Sequence, residues 1–464
     1  MRTTDGPVPY REVTGRYGRV HRLGESDADI MGRTRIWMIV LPFAGTAGVA
    51  LAGAAFAVAG GARAWSGGPV PWPLGVWVFC QGAVALPVGR LRDGGRLPAR
   101  VAVPFGAAAT AVAGLLLLHA PDATAARLGF AVFGGAGAGA VWVTCAATAG
   151  KWFPDRRGGA TTLVSGGFAC GTVPVAFVAA GHPSAFVAAG HPGAGGRPSL
   201  AVVLGLALCL VAAGAGRFLA DPPRNWWPDR VAPPRPRVGA AVRGTEADPP
   251  AVRQYGPREA AGTPALWLMW CCLLCAGGVG VLCAAVRAPS AREPWATGGN
   301  GTAVLCAALC LDVVGVGALG LLSDRWGRRA TLTGVCVVLG TAPFGALESG
   351  RLGGPPFLLL CVLLSGLAGA AVPALLASLT ADCFGENDNA AHLGLVHSAT
   401  AVAGPAAAVL GAGVVGARDP HVAYVLAGSL GLASSVLALF LTAPGRIRVR
   451  RIVPNPQPLG EEMA

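Results

Sequence analysis

Long apolar runs separated by short polar turns recur along this chain from residue 36 to residue 443. Roughly twelve of them reach the ~20 residues that a helix needs to cross the hydrocarbon core of a bilayer. Charged residues make up 13% of the 464-residue chain, against roughly 25% in soluble domains. Because a membrane β-barrel would instead show alternating segments of ~10 residues, the pattern predicts an all-α membrane protein.

The predicted spans form two groups of six, separated by a segment rich in proline and arginine. Segment 221–262 is predicted to be a central cytoplasmic linker, and residues 1–35 and 444–464 a cytoplasmic N-terminal segment and tail. The N-terminal half, 36–220, has spans near 36–60, 74–92, 101–120, 127–150, 160–181 and 199–219. The C-terminal half, 263–443, has spans near 264–286, 300–322, 330–349, 356–380, 391–416 and 422–443.

Basic residues are concentrated in alternate loops, so the net charge of +13 indicates orientation in a membrane rather than binding to nucleic acid. This distribution places both termini in the cytoplasm. The turn before the eleventh span is an exception, with Asp382, Glu386 and Asp388 and no basic residue, but acidic residues weigh little in this rule. With a single lysine and abundant alanine, glycine and arginine, the chain is expected to be a multi-pass protein of a bacterial cytoplasmic (inner) membrane.

The turn between the eighth and ninth predicted spans reads GLLSDRWGRR, from Gly320 to Arg329. A compact charged turn of this kind is predicted to hold helix ends together in one conformation and release them in another. The alternative is an ordinary cytoplasmic turn, for which two or three arginines suffice. The predicted conformational latch consists of Gly320, Asp324, Arg325, Gly327, Arg328 and Arg329, with Asp93 at the corresponding turn of the first half.

The spelling of this turn resembles the loop signature of the major facilitator superfamily, G-x-L-x-D-R-x-G-R-[KR]. The resemblance implies the major facilitator fold, with twelve transmembrane helices in two pseudo-symmetric six-helix halves, and secondary active transport by alternating access. The first-half copy, GRLRDGGR at 89–96, keeps Asp93 but has altered spacing. A weaker latch is therefore expected there.

Three further stretches resemble the oxalate/formate antiporter family within that superfamily. They are GKWFPDRRGGA at 150–160, DPPRNWWP at 221–228 and FGENDNAAHLGLVHSA at 384–399. The substrate expected from this resemblance is a small organic acid or a related solute. The aromatic residues of the first two stretches are predicted to anchor helix ends at the membrane surface; they are Trp152, Phe153, Trp226 and Trp227.

Polar residues inside predicted spans are the candidate substrate or proton pathway, because charges buried in a bilayer are costly and usually functional. Asp312 precedes Asp324 by about 18 Å of helix, which places it near the bilayer midplane as a proton-coupling or cation-binding carboxylate. His397, in the eleventh span, would exchange protons with Asp312 if the two helices meet. The alternatives are a carboxyl group hydrogen-bonded to a neighbouring helix and a neutral, packed histidine.

Four more residues inside spans are candidates for the same pathway. Thr400 follows His397 by about one helical turn. Trp142 falls where the resembled family tends to place an aromatic residue in its cavity, and Gln81 and Thr144 lie in the second and fourth spans. Packing between helices is the alternative for each of them.

The chain departs from the resembled family where that family binds the oxalate dianion. The family uses an arginine in the eighth span and a lysine in the eleventh, and alignment through GLLSD and FGEND puts Val316 and Thr400 at these positions. Neither residue can pair with a carboxylate, and a buried anion without a cationic partner is strongly disfavoured. Oxalate transport by dianion pairing is therefore not expected; a monocarboxylic acid moving with a proton, or a neutral or cationic solute, fits Asp312 better.

The sequence gives little support to other classes of function. It has neither a G-x-x-x-x-G-K-[ST] loop for ATP nor an H-E-x-x-H motif, so no ATP coupling, enzyme activity, metal or cofactor is expected. AFVAAGHP occurs at 176–183 and 185–192, with His182 and His191, and replication slippage in an external loop explains it better than a metal site. The expected partners are a small-molecule substrate, the lipid bilayer and protons, and the expected state is a monomer. A drug or metabolite exporter of the same fold and a non-transporting receptor are the alternatives.

Overall fold

The computed structural model describes residues 10–14, 19–60, 72–181, 200–229, 231, 253–290, 299–416 and 420–444. Within these ranges, side chains are described except at 58, 60, 170–181, 200, 284–290, 299–312, 355, 414–416 and 420. Long helices account for most of the described chain. The duplicated histidines, His182 and His191, lie outside the described residues.

The N-terminal half is a bundle in which α4 is the most enclosed helix. Every residue from Gly137 to Trp152 on α4 is buried. Helix α1 packs on α5 and α6, and α4 packs on α2 and α3. The helices are α1 Trp37–Gly60, α2 Trp72–Asp93, α3 Ala99–His119, α4 Ala123–Trp152, α5 Arg157–Gly181 and α6 Leu200–Arg217.

The C-terminal half repeats this arrangement with six further helices. Helix α12 packs on α7 and α9, and α9 packs on α10. Short helices precede α7 and α10, at Pro257–Ala261 and Ser349–Leu352. The long helices are α7 Pro264–Ser290, α8 Gly299–Trp326, α9 Arg328–Leu347, α10 Gly354–Phe384, α11 in two segments, Asn389–His397 and Ala399–Gly416, and α12 Pro420–Leu439.

Hydropathy places the helices correctly, but some of them extend beyond the predicted ends. Among the described residues, 9 helices are long and apolar enough to cross a membrane by length and composition. Helix α10 continues to Phe384, beyond the predicted end at 380, and α4 begins at Ala123 rather than 127. Hydropathy detects the membrane-crossing part of a helix rather than its hydrogen-bonded ends.

Helix α11 is interrupted at Ser398, which the sequence analysis did not anticipate. The Ser398 hydroxyl donates to the carbonyl of Leu395 at 2.7 Å and accepts from the indole nitrogen of Trp270 on α7 at 3.2 Å. Bonds from a serine side chain to the local backbone compete with regular helix geometry. The interruption therefore lies between two of the candidate pathway residues, His397 and Thr400.

The N-terminal segment, expected only to be a polar stretch, is folded where it is described. Strand β1, Arg11–Thr14, pairs antiparallel with strand β2, Val20–Leu23, with Arg11 opposite Leu23. A short helix, Asp27–Met31, follows, and the Ser26 hydroxyl caps it by accepting from the backbone nitrogen of Asp29. Strand β2 also forms a parallel bridge with Trp226, which attaches the segment to the chain beyond α6.

The two halves meet where α2 packs on α11 and α5 packs on α8. Glycine makes these approaches possible. A Cβ at Gly89 would lie 2.7 Å from the carbonyl carbon of Ala390, and one at Gly320 would lie 2.6 Å from the carbonyl oxygen of Gly158. We call the end of the bundle that carries Asp93, Arg157, Asp324 and Glu386 the latch face.

Candidate functional site

The GLLSDRWGRR turn joins the C-terminal half to the first turn of α5. The Asp324 carboxylate accepts hydrogen bonds from the backbone nitrogens of Gly158, at 3.0 Å, and Gly159, at 2.8 Å. Nitrogens in the first turn of a helix have no acceptor within the helix, and the helix dipole favours a negative charge there. Asp324 therefore caps a helix of the opposite half.

Asp93 makes the corresponding contact from the N-terminal half. Its carboxylate accepts from the backbone nitrogen of Ala391, in the first turn of α11, at 2.7 Å. It also accepts from the Lys151 ammonium at 2.8 Å. The altered spacing of GRLRDGGR therefore leaves the cap on the opposite half in place.

A buried ion-pair network lies beside the Asp324 cap. Arg157, only 2% exposed at the start of α5, binds Asp382 on α10 and Glu386 in the α10–α11 turn, the latter at 3.0 Å. Arg328 joins the network by binding both Asp324 and Asp382. Burial alone would raise the pKa of Glu386, but Arg19 and Arg157 hold that pKa below its usual range. This network ties α5 of one half to α8, α9 and α10 of the other.

Sequence reasoning did not select Arg157, Asp382 or Glu386 for the latch. One signal was present, because the turn before α11 is acidic in a series of otherwise basic turns. An acidic turn among basic ones indicates partners on neighbouring turns, and the structure pairs Glu386 with Arg157 across 229 residues of sequence.

A second charged cluster lies where α6 ends. Arg92 and Lys151 both bind the Asp221 carboxylate, Arg92 at 2.8 Å. Burial alone would raise the pKa of Asp221, but these two cations lower it to about 2. A cavity of about 120 Å³ lies beside the cluster, and its lining includes Asp93 and Glu386.

The predicted latch residues differ in what they contact. Gly327 adopts φ +102 between α8 and α9, in the left-handed region that favours glycine. Arg328 is in the network, Arg329 donates to the carbonyl of Leu439, and Arg325 is exposed. Within the motif, Asp324 supplies the hydrogen bonds to the opposite half and Gly320 allows the close approach of the backbones.

The prediction that the aromatic residues near the helix ends lie at the membrane surface is wrong. Trp152, Phe153, Trp226 and Trp227 are all buried. The indole nitrogen of Trp152 donates to the carbonyl of Ala220 at 2.7 Å, and that of Trp226 donates to the carbonyl of Glu25 at 3.0 Å. The folded N-terminal segment and the chain leaving α6 cover them.

Three candidate pathway residues lie together where α2, α4 and α11 meet. The rings of Trp142 and His397 are stacked, with centroids 4.2 Å apart. The side-chain nitrogen of Gln81 lies 3.5 Å from Nε2 of His397. Helix α4 can approach Gln81 because Gly139 has no side chain; a Cβ there would lie 3.0 Å from the carbonyl carbon of Gln81. The cluster thus contains residues of both halves.

Thr400 and Thr144 extend this cluster in opposite directions. The Thr400 hydroxyl donates to the carbonyl of His397 at 2.8 Å, across the interruption of α11. Thr144 is buried, its hydroxyl lacks a hydrogen-bond partner among the described residues, and its carbonyl accepts from Arg92 at 3.0 Å. Thr144 therefore connects the region of Trp142 to the latch face.

The two remaining candidates, Asp312 and Val316, are on α8. Val316 is fully buried in the hydrophobic core of the C-terminal half, which also contains Leu332 and Leu375. Asp312 lies about one helical turn before Val316, within α8. Its side chain is outside the described part of the chain, while the described partners of His397 are Gln81, Trp142 and Thr400.

Comparisons with known proteins agree with this architecture. Residues 295–461 match the family model of the Major Facilitator Superfamily. The structure also resembles a variant of the E. coli fucose:proton symporter FucP, with a TM-score of 0.60 and 14% identity, covering 88% of this chain and 100% of that one. This chain has the major facilitator fold.

Two other solved structures of this fold have similar scores. The human organic anion transporter MFSD10 (TETRAN) gives a TM-score of 0.61 at 16% identity, covering 88% of this chain and 100% of that one. The proton:xylose symporter XylE gives 0.63 at 13% identity, covering 88% and 96%. No curated protein matches the sequence. These comparisons support the major facilitator fold and not the narrower oxalate/formate antiporter branch.

Proposed function

We propose that the chain is a secondary active transporter that works by alternating access in a bacterial cytoplasmic membrane. The halves 36–220 and 263–443 are the moving bodies, and 221–262 is the linker between them. The excess of arginine in the turns of the latch face supports a cytoplasmic location for that face. Both termini are then cytoplasmic.

The observation that carries this proposal is the pair of caps that cross between the halves. Asp324 binds the first turn of α5, and Asp93 binds the first turn of α11. A charge at a helix terminus contributes about 0.3–2 kcal/mol, so each cap is weak enough to break reversibly. Two such caps at one end of the bundle suit a protein whose halves separate there and close at the opposite end.

The residues between the halves support a small organic acid or related solute, moving with a proton, as the substrate. Gln81, His397 and Thr400 supply hydrogen-bonding groups, and Trp142 supplies an aromatic face. We propose Asp312 as the group that carries the coupled proton. The similar structures include proton symporters of fucose and xylose and an organic anion transporter, which fits both an acid and a neutral solute.

We do not propose transport of oxalate bound as a dianion. Val316, aligned with the family's arginine, is enclosed by apolar residues, and Thr400 bears no charge. A drug or metabolite exporter is the second candidate, because the stacked aromatic and imidazole rings of Trp142 and His397 also suit a flat, apolar solute.

Transport into proteoliposomes tests the proposal. A panel of monocarboxylic acids, neutral solutes and cations is offered with and without a pH gradient, and uptake of at least one acid is expected to follow the gradient. Asp312→Asn is expected to abolish gradient-driven accumulation and retain exchange of solute across the membrane. Glu348→Gln, at an exposed acid that directly follows α9, is the matched control.

Three outcomes would contradict parts of this account. Unchanged gradient-driven flux in Asp312→Asn would exclude that residue from proton coupling. Accumulation of oxalate would show that the interpretation of Val316 and Thr400 is wrong. Saturable binding of a solute without flux would favour a receptor.

A further inference from the structure

The segment Arg19–Glu25, which we call the N-terminal clasp, forms strand-like hydrogen bonds with the chain that leaves α6, where Trp226 packs in the core of the N-terminal half. The backbone nitrogen of Arg22 donates to the carbonyl of Asn225 at 2.7 Å, and the nitrogen of Trp227 donates to the carbonyl of Arg22 at 3.0 Å. The imidazole of His21 contacts the Trp227 ring edge-on, with centroids 4.7 Å apart. These contacts fix the clasp to the chain that leaves α6.

The other side of the clasp reaches the C-terminal half. The Arg19 guanidinium donates to the Glu386 carboxylate at 3.0 Å, and both side chains are nearly inaccessible, at 6% and 5% exposure. The turn that holds the clasp contacts the same loop, since the backbone nitrogen of Asn225 donates to the side chain of Asn387 at 3.0 Å. The clasp therefore crosses the seam between α6 and the α10–α11 turn.

We propose that the N-terminal clasp is a regulatory strap that keeps the latch face closed and must release the α10–α11 turn before that face opens. This inference rests on the proposed alternating-access function. If the halves separate at the latch face, Glu386 leaves both Arg157 and Arg19. Arg157 lies on α5, and the clasp that carries Arg19 is bonded beside Trp226, which packs in the core of the N-terminal half. The clasp thereby gives the chain a means of controlling transport from outside the substrate pathway.

The contacts of the clasp suit a segment that detaches. In the described part of the protein, two of the three guanidinium nitrogens of Arg19 and Nδ1 of His21 are buried without a hydrogen-bond partner. Buried polar groups that lack partners reduce the gain from docking. Removing Arg19 also leaves Glu386 with Arg157 as its remaining cationic partner, so the variant weakens the seam without leaving that carboxylate unpaired.

Hydrogen exchange tests the clasp without any substrate. The amides of Gly158, Gly159 and Ala391 are bonded across the seam, so their exchange, followed by mass spectrometry of the full chain, reports opening of the latch face. Arg19→Gln is expected to accelerate this exchange roughly tenfold, equivalent to about 1.4 kcal/mol. Arg11→Gln makes the same change at an exposed arginine of β1 and is expected to exchange like the wild type.

A second variant keeps the test valid if Arg19→Gln folds poorly. Arg19→Lys keeps the charge but loses the forked geometry of the guanidinium, and an intermediate exchange rate is expected. Wild-type rates in both Arg19 variants would overturn the clasp. The exchange measurement does not depend on transport, so the two proposals can fail separately. Faster exchange in the Arg19 variants of a protein that transports nothing would reject only the proposed function. Normal transport by the wild type, with unchanged exchange in the Arg19 variants, would reject only the clasp.

Discussion

The carboxylate of Asp324 lies 2.8 Å from the backbone nitrogen of Gly159, in the first turn of a helix of the other half. Asp93 lies 2.7 Å from the nitrogen of Ala391 in the same relationship. Each aspartate lies in the last turn of a long helix of its own half and caps a helix that pairs with it across the seam. The closed latch face is therefore held twice by one type of contact, and opening requires both to break.

Removing the charge of one cap should loosen the latch face without changing its shape. Asp324→Asn keeps the size of the side chain but loses attraction to the α5 terminus and to Arg328. We expect opening to become easier by about 1–2 kcal/mol. Exchange of the Gly158 and Gly159 amides measures it, and Glu348→Gln serves as the control. Equal exchange in Asp324→Asn and the wild type would rule out a latching role for the carboxylate.

The seam between α5 and α8 should not tolerate a methyl group at Gly320. A Cβ there would overlap the Thr162 hydroxyl and lie 2.6 Å from the carbonyl oxygen of Gly158. Crowding of this kind costs about 1–3 kcal/mol, so a lower thermal unfolding midpoint or a more open latch face is expected for Gly320→Ala. At Gly334, on α9, nothing lies within 4 Å of the added carbon, so Gly334→Ala is the control. If Gly320→Ala matched Gly334→Ala both in thermal unfolding and in exchange of the latch-face amides, the close approach would be contradicted.

The stack of His397 on Trp142 should matter for the substrate more than for folding. His397→Asn removes the ring and the contact with Gln81. We expect the apparent affinity for the transported solute to fall about fivefold, as for the loss of one hydrogen bond worth ~1 kcal/mol. His119→Gln, at an exposed histidine that ends α3, should leave affinity unchanged. A loss of thermal stability with intact affinity would identify His397 as a packing residue.

Docking of the N-terminal clasp should weaken in acid. Burial lowers the pKa of His21 below 6.5; the nearby carboxylate of Glu386 opposes this shift, and Arg19 and Arg157 add to it. The docked clasp therefore binds fewer protons than the free one, so docking is strongest above about pH 6.5 and declines as pH falls below that value. Exchange of the Trp227 amide, corrected for intrinsic rates, is compared at about pH 7.5 and pH 5.5. In His21→Gln the dependence over this range should shrink, and an unchanged dependence would exclude His21 as its source.

The fold and half of the latch follow from local features of the sequence. Apolar runs fix the number and order of the helices because a helix must satisfy its own backbone in lipid. The GLLSDRWGRR turn predicts Gly320 and Asp324 as latch residues, because such a turn needs a glycine where two helices approach closely and a carboxylate at a set position. Asp93 follows from its place in the degenerate copy of the motif.

The rest of the latch depends on contacts between distant parts of the chain. Arg19 and Glu386 are separated by 367 residues, and nothing local to either one predicts the pairing. Trp152 and Trp226 have the composition of membrane anchors, yet they are buried against each other, with ring centroids 4.9 Å apart. At the interruption of α11, Ser398 accepts a hydrogen bond from Trp270 of α7, a contact between distant parts of the chain that hydropathy cannot register.

The burial of Lys151 gives this protein a native chemical reporter. It is the single lysine of the chain, and its ammonium lies 2.8 Å from Asp93 and 3.4 Å from Asp221. An amine-selective acylating reagent therefore has one side-chain target, and that target is buried beside a cavity that Glu386 and Asn387 of the C-terminal half also line. Separation of the halves would expose it, so the extent of acylation at one position would count the molecules that have switched, with no cysteine removed and no label engineered.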